Sequence, residues 1–178
     1  MMEFNYLNET DHILYDSQIL LESYDWSHRV ISSYYDVFLS HSSEDKQSIL
    51  PMVIEVLRRE GAKVYIDNQD PSLPSRTSVE TAKILRDRIE ECNKFVVLVS
   101  QNSFCSRWIP WELGYADGKK VSNKIAVFPY VETNDQGEWV GQEYMGGYPL
   151  ITRNNEGWIV YSRGQENPYT KLCCWLRQ

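Results

Sequence analysis

The feature that most constrains the fold is the segment at 95–100, FVVLVS, in which five consecutive residues are apolar. A strand of a half-exposed sheet alternates apolar and polar side chains, whereas this run leaves no polar face. It therefore predicts a strand that is covered on both sides, as in the middle of a parallel sheet. Parallel neighbours need crossover connections, so helices should separate the strands along the chain.

Strand and helix patterns do alternate around this segment. Strands are predicted at Tyr35–Ser40 (YDVFLS), Lys63–Asp67 (KVYID), Phe95–Ser100 and Lys124–Tyr130 (KIAVFPY), and helices at Ile49–Arg59, Val79–Cys92 and Ser106–Gly118. Ser42 and Asp45 form an imperfect capping box before the first helix, and Thr77 or Ser78 caps the second. Right-handed βαβ units in this order predict the α/β class, with a flavodoxin-like doubly wound sheet of about five parallel strands flanked by helices.

Outside the alternating region the pattern weakens. Residues 131–157 are rich in glycine and aromatic side chains and are predicted to form a long ordered loop. A fifth strand is predicted at Trp158–Tyr161 and a closing helix at Tyr169–Leu176. Residues 1–33 are predicted to be an N-terminal helical extension, because apolar residues between 13 and 24 recur at helical spacing. Its apolar stripe packs either on the same domain or on a second subunit.

Composition excludes several classes of function. The net charge is −7, and the sequence has no stripe of Lys and Arg, so nucleic acid is not an expected partner. No stretch approaches the ~20 apolar residues of a membrane span and no secretory signal is recognisable, which predicts a cytoplasmic protein without membrane contact. The cysteines form no CxxC pair, so no metal site is expected. Cys173 and Cys174 are either a vicinal disulfide or, as we favour, buried reduced thiols.

Topology alone indicates where a ligand would bind. In a sheet of strand order 2-1-3-4-5, the crevice opens between the first and third strands at their carboxyl ends. These ends are Ser40 and Ser100, so the two following loops meet there, and Glu112 lies on the helix that leaves the second loop. Ser40, His41 and Ser42 can offer hydroxyl and N–H groups to a phosphate, or they can cap the helix. The two roles are compatible.

Three sequence segments, in this order and spacing, resemble the Toll/interleukin receptor (TIR) domain over residues 34–178. They are YDVFLSHSSEDK at 35–46, VYIDNQDPSLPSRTSVETA at 64–82 and SRWIPWELGYADGK at 106–119. The resemblance implies that the third segment holds the family's catalytic glutamate, here Glu112, with Trp108 four residues before it as in members that cleave NAD⁺. The segment GQEYMGGYPLI at 141–151 resembles single-domain bacterial members, some of them from the Thoeris antiphage system.

The resemblance therefore implies an NAD⁺-cleaving enzyme, a glycohydrolase or ADP-ribosyl cyclase. NAD⁺ would be its substrate, with no bound cofactor. The product would be an ADP-ribose-derived signal for a separate effector in bacterial antiphage defence. The resemblance also implies self-association through the loop at 68–78, where Arg76 meets a phosphate or a partner carboxylate or is simply a solvated surface residue. Two alternatives stay open: a non-catalytic TIR adaptor, and a nucleoside deoxyribosyltransferase-like enzyme, which the 64–82 segment does not support.

The chemistry of NAD⁺ cleavage suits a single acidic residue. Nicotinamide leaves as a neutral base, while positive charge develops on the ribose, as in glycoside hydrolysis, and one carboxylate can stabilise that charge. We assign this role to Glu112; the competing interpretation is a glutamate in the first turn of a helix, where the helix dipole favours a negative charge. Trp108 is either a wall against nicotinamide or, as we favour, a core residue. Asp67 and Asp70 are interpreted as turn-forming residues.

Overall fold

The computed structural model describes residues 35–74, 76–130, 143–164 and 168–178. The strands are β1 (Val37–Ser40), β2 (Val64–Tyr65), β3 (Lys94–Val99), β4 (Ile125–Pro129), β5 (Leu150–Asn154), β6 (Gly157–Tyr161) and β7 (Tyr169–Lys171). They form one sheet in the order β2-β1-β3-β4-β5-β6-β7. Neighbours from β2 to β5 run parallel, and β6 and β7 are antiparallel additions at one edge. The predicted doubly wound sheet with about five parallel strands is thus confirmed, although the fifth parallel strand is β5 and not the segment predicted at Trp158–Tyr161.

Helices cover both faces of this sheet. They are α1 (Leu50–Arg59), α2 (Val79–Glu91), α3 (Trp108–Lys119) and α4 (Leu172–Arg177). Alternate residues of β3 pack to opposite sides, since Val96 and Leu98 join the core under α1 and α4 whereas Val97 and Val99 join the core under α2 and α3. All six residues of β3 are buried, as the apolar segment predicts.

Local sequence explains how two of the helices are bounded. Ser78 begins α2 with a reciprocal capping box, because its hydroxyl accepts from the Thr81 N–H while the Thr81 hydroxyl accepts from the Ser78 N–H. Gly61 follows α1 with φ of +100°, a conformation that favours glycine. The predicted capping box of Ser42 and Asp45 is wrong. Ser42 instead caps the short 3₁₀ helix Ser43–Asp45, and α1 begins later, at Leu50.

The predicted loop at 131–157 is wrong in its second half. Residues 131–142 lie outside the described residues, but Glu143–Gly147 is a 3₁₀ helix and Leu150–Asn154 is strand β5. The predicted fifth strand is therefore β6, the antiparallel partner of β5. The two strands form a hairpin closed by residues 155 and 156, with Gly157 at φ of +114°. Only the first three residues of β5 are buried, which makes its apolar signal too short to recognise.

The predicted closing helix also begins too early. Residues 169–171 pair with β6, and only Leu172–Arg177 is helical. None of the cysteines is in a disulfide, but Cys173 is half-buried and Cys174 exposed, so the expected burial of both thiols is wrong. The predicted helical extension at 1–33 lies outside the described residues. Among the described helices, none combines the length and hydrophobicity that a bilayer crossing requires.

Candidate active site

The structure brings Ser40 and Glu112 together at the carboxyl ends of β1 and β3. Ser40 is the last residue of β1, and its hydroxyl donates a hydrogen bond of 2.5 Å to Oε2 of Glu112. The two residues are 1% and 4% exposed, respectively. A serine and a glutamate 72 positions apart therefore form a buried pair where topology predicts a ligand site.

Glu112 is buried because it lies on the core-facing side of α3. The buried residues of this helix are Ile109, Glu112, Leu113 and Ala116, which recur with the spacing of one helical face. A glutamate that only favoured a helix dipole would be solvated near the first turn. Glu112 instead replaces an apolar side chain in the stripe that contacts the sheet.

Burial changes the acidity of Glu112. Loss of solvation raises the pKa of its carboxyl group to about 7, the hydrogen bond from Ser40 acts in the opposite direction, and the charge of Asp67 raises it further. Both protonation states are therefore populated near neutral pH. Such a shift in a cleft is typical of functional carboxyl groups.

His41 and Ser42 are largely engaged in contacts with the protein itself. The His41 side chain is 3% exposed; its Nδ1 donates to the Leu39 carbonyl over 3.2 Å, and its Nε2 lies 3.7 Å from Oδ1 of Asp67. The Ser42 hydroxyl accepts from the Glu44 N–H. His41 thus connects the end of β1 to the start of the loop after β2. Its role, and that of Ser42, toward a substrate stays a prediction.

Trp108 begins α3 and is half-buried against the core under α2 and α3. Its ring meets Trp111 edge-on at a centroid distance of 5.3 Å, and Trp111 stacks on Tyr115 at 6.0 Å. These contacts agree with a packing role for both tryptophans, and a partly open Trp108 ring leaves room for a second role. Arg76 is exposed in the loop at 68–78.

The loop after β2 is fastened through Asp70, as expected of a turn-forming residue, but with a wider set of partners. Asp70 accepts hydrogen bonds from the Tyr65 hydroxyl (3.0 Å), from Nε of Arg88 (2.9 Å) and from Ser72. The pKa of Asp70 is lowered because the hydrogen bonds from Ser72, Arg88 and Tyr65 outweigh its desolvation. The base of the loop is thereby attached to α2.

A buried polar cluster that the sequence pattern did not indicate lies at the carboxyl end of β3. Asp45 is fully buried and accepts hydrogen bonds from Ser100 and Asn102, both of which follow β3. The positions of these residues along the sequence could have predicted the cluster, because polar residues that follow adjacent parallel strands meet at one edge of the sheet. Within the described ranges, no group of three or more His, Cys, Asp or Glu side chains is arranged to hold a metal ion.

The fold and the buried pair of Ser40 and Glu112 define a class of protein, namely a doubly wound α/β domain with a buried carboxyl group at its topological switch point. Comparison with known families makes the assignment specific. The family model described as "TIR domain" matches residues 37–157. The chain belongs to the TIR domain family.

Several curated proteins are similar to this chain. A probable 3′ cyclic ADP-D-ribose synthase, ThsB′ of Bacillus cereus (strain MSX-D12), is 39% identical over 155 residues, which cover 81% of this chain and 76% of the relative. A probable 2′ cyclic ADP-D-ribose synthase, TcpO of Methanobrevibacter olleyae, is 30% identical over 49% of this chain and 26% of its own length. The NAD(+) hydrolase TcpC of Escherichia coli O6:H1 is 28% identical over 53% of this chain and 30% of its own length.

Proposed function

We propose that this TIR domain cleaves the nicotinamide–ribose bond of NAD⁺ at the mouth between β1 and β3, with Glu112 as the catalytic residue. The observation that supports this most directly is the buried Glu112 carboxyl group, held by Ser40 at the carboxyl ends of these strands. The names of the relatives, which include cyclic ADP-ribose synthases and an NAD⁺ hydrolase, support the same substrate.

In the proposed reaction, the bond between C1′ of the ribose and the ring nitrogen of nicotinamide breaks. Its electron pair leaves with nicotinamide, which departs neutral and needs no acid, and C1′ becomes cationic. The Glu112 carboxylate stabilises this charge in a site from which water is largely excluded. The oxygen of water, or of a hydroxyl group of the same molecule, then bonds to C1′ and loses its proton to solvent.

The ionised form of Glu112 is the one that stabilises a cation. Ser40 favours this form, because a hydroxyl that donates a hydrogen bond stabilises a carboxylate more than a carboxylic acid. The positive charge of the bound nicotinamide ring acts in the same direction. We therefore assign to Ser40 the orientation and ionisation of Glu112, in addition to contact with the substrate.

The remaining candidate residues receive positions around the same mouth. Ser42 and His41 lie on the loop after β1, where N–H and hydroxyl groups would face the diphosphate. The Trp108 ring, one helical turn before Glu112, would bound the nicotinamide. Arg76, on the exposed loop, would contact a phosphate or a carboxylate of a second copy of the chain. Self-association of TIR domains would then complete the site.

The product that we propose is a cyclic isomer of ADP-ribose, as the name of the Bacillus cereus relative states for that protein. Such a molecule is diffusible and could reach a separate effector. With the resemblance to Thoeris proteins, this supports a role as a signal-producing enzyme of antiphage defence. The reaction would take place in the cytoplasm, where NAD⁺ is available.

The direct test is incubation of the purified full chain, at high protein concentration, with NAD⁺, followed by chromatographic identification of the products. We expect nicotinamide together with cyclic or linear ADP-ribose, and a loss of ~10²-fold or more in turnover for Glu112→Gln. Glu80→Gln is the matched control, since Glu80 is an exposed glutamate in the first turn of α2. Unchanged turnover in a folded Glu112→Gln variant would falsify the assignment. Self-association without nicotinamide release would favour the adaptor.

A further inference from the structure

Asp45 is a buried acidic residue that the proposed reaction does not use. It is 0% exposed and ends the 3₁₀ helix Ser43–Asp45 after β1. Its Oδ2 accepts from the Ser100 hydroxyl over 2.8 Å, and its Oδ1 accepts from Nδ2 of Asn102 over 2.7 Å. One carboxyl group thus joins the loop after β1 to the loop after β3.

Capping does not account for this carboxyl group. Ser42 already caps the 3₁₀ helix, and α1 starts only at Leu50. Burial of a carboxylate is unfavourable unless hydrogen-bond donors compensate for its lost hydration. The hydrogen bonds of Asp45 therefore indicate what its carboxyl group does. Both bonds of Asp45 go to residues more than fifty positions away, which makes them ties between loops rather than local turn contacts.

The hydrogen bonds between the two loops continue into the loop that leads to Glu112. The Ser100 N–H donates to the Ser103 hydroxyl over 2.9 Å, and that hydroxyl donates to the Leu98 carbonyl over 3.0 Å. The 3₁₀ helix Gln101–Cys105 is therefore fixed to the end of β3, and α3 begins three residues later. Strand pairing fixes β1 beside β3, and the loop after β3 leads into α3, so the position of Glu112 relative to Ser40 depends in part on how the two loops are joined.

We propose that Asp45 is a positioning residue for NAD⁺ cleavage: it joins the loops after β1 and β3 so that the Glu112 carboxyl group remains on Ser40 and against the ribose. The inference rests on the proposed function. Asp45 touches neither substrate nor reacting atoms in this arrangement and acts only through the two loops. Its loss should therefore change the shape of the site around the cationic ribose, and with it the access of competing nucleophiles.

Product partition is the measurement that separates positioning from stability. After C1′–N cleavage, C1′ bonds to the oxygen of water, of an intramolecular hydroxyl group or of added methanol, and in each case the oxygen releases its proton to solvent. The three products are linear ADP-ribose, a cyclic isomer and a methyl riboside. Their ratio does not depend on the fraction of protein that is folded, so a purely structural role would leave it unchanged.

The first variant, Asp45→Ala, removes the hydrogen bonds from both Ser100 and Asn102. The second, Asn102→Ala, removes only the hydrogen bond from Asn102. Because Asn102 is exposed, this variant should fold even if Asp45→Ala does not. Asp45→Asn is the conservative variant, because its amide can accept from Asn102 and donate to the Ser100 hydroxyl. Asn93→Ala is the matched control. It removes a hydrogen bond of 2.6 Å to Lys124 at the amino end of β3, away from the site.

With NAD⁺ and methanol, we expect Asp45→Ala and Asn102→Ala to change the product ratio by about threefold or more. A difference of about 0.7 kcal/mol between competing barriers produces a change of this size. The value of kcat/KM per folded molecule should fall ~10- to 100-fold in Asp45→Ala. Asp45→Asn should resemble the wild type, and Asn93→Ala should keep the wild-type ratio. In parallel, hydrogen exchange at the Ser100 and Ser103 amides should accelerate in Asp45→Ala beyond any global change.

Unchanged partition and unchanged exchange in a folded alanine variant would overturn the inference, and so would an equal change of partition in Asn93→Ala. A wild-type protein that releases no nicotinamide would instead refute the proposed function. The exchange measurement would then decide alone whether Asp45 joins the two loops. The two failures are thus distinguishable.

Discussion

Replacing Glu112 by Gln should stabilise the protein, and more so at alkaline than at acid pH. The folded state holds the Glu112 carboxyl group at a pKa of about 7, above its ordinary value of 4.5, chiefly because the group is buried. A raised folded pKa means that the protonated group contributes stability below pH 4.5, and that this contribution is lost as pH rises through 7. A change from 4.5 to about 7 corresponds to about 3 kcal/mol.

The variant has no charge to bury at either pH. Its free energy of unfolding relative to wild type should therefore rise by about 2 to 3 kcal/mol between pH 5 and pH 8. In thermal unfolding this is a gain of roughly 5 to 10 °C for a chain of this size. The assay is urea unfolding of both proteins at the two pH values, in one buffer of constant ionic strength. Glu80→Gln, at an exposed position, should show little pH-dependent difference.

A stability difference between wild type and Glu112→Gln that stays constant from pH 5 to pH 8 would refute this reasoning, because the carboxyl group would then ionise alike in the folded and unfolded chains. A difference that decreases with pH would show that the folded state favours the charged form. Either result would also remove the physical basis for a carboxyl group poised near neutrality. The measurement needs no substrate, so it is independent of any activity.

Three further outcomes are expected. Ser40→Ala removes the donor that favours ionised Glu112, so the acid limb of kcat/KM should move upward by about one pH unit. In a pH–rate profile this shift alone lowers activity about fivefold at pH 7, and above pH 9 the loss should shrink to the part that comes from the missing orientation and substrate contact. Asp70→Asn weakens the attachment of the loop to Arg88 and Tyr65, and it should lower the free energy of unfolding by roughly 1 to 3 kcal/mol and accelerate limited proteolysis at residues 71–78. Lys94 is buried with its Nζ 4.5 Å from the centroid of the Trp175 ring, and burial lowers its pKa to about 8. Lys94→Met should therefore raise stability in urea at pH 7 by about 1 to 3 kcal/mol, an advantage that shrinks as pH rises through 8.

The parts of the fold that the sequence predicts are those with a strong local signal. The last five residues of β3 form an unbroken apolar run, and the cap of α2 is predicted directly from Ser78 and the residues after it. Once the strands are placed in the order 2-1-3-4-5, the position of the ligand crevice follows from topology, because the ends of β1 and β3 must be neighbours. The proximity of Ser40 and Glu112 could be predicted in this way without any side-chain geometry.

The parts that sequence analysis missed depend on pairing rather than on local propensity. Strand β5 has only three buried residues and exists because it pairs with β4 and β6. Residues 169–171 have a helical pattern but pair with β6, and tertiary contacts override a weak propensity. The ties of Asp45 were missed for the same reason, since a pattern that suits a capping box says nothing about Ser100 and Asn102.

Burial connects the stability and the proposed chemistry of this domain. A carboxyl group on the core-facing side of α3 lowers the stability of the fold, because it loses hydration that an apolar residue at the same position would not lose. The same desolvation holds the group near half-ionisation at neutral pH, and it would strengthen the attraction between the carboxylate and a cationic ribose. The hydrogen bond from Ser40 offsets part of this cost. An ionisable residue at such a position is therefore better explained by reactivity than by folding.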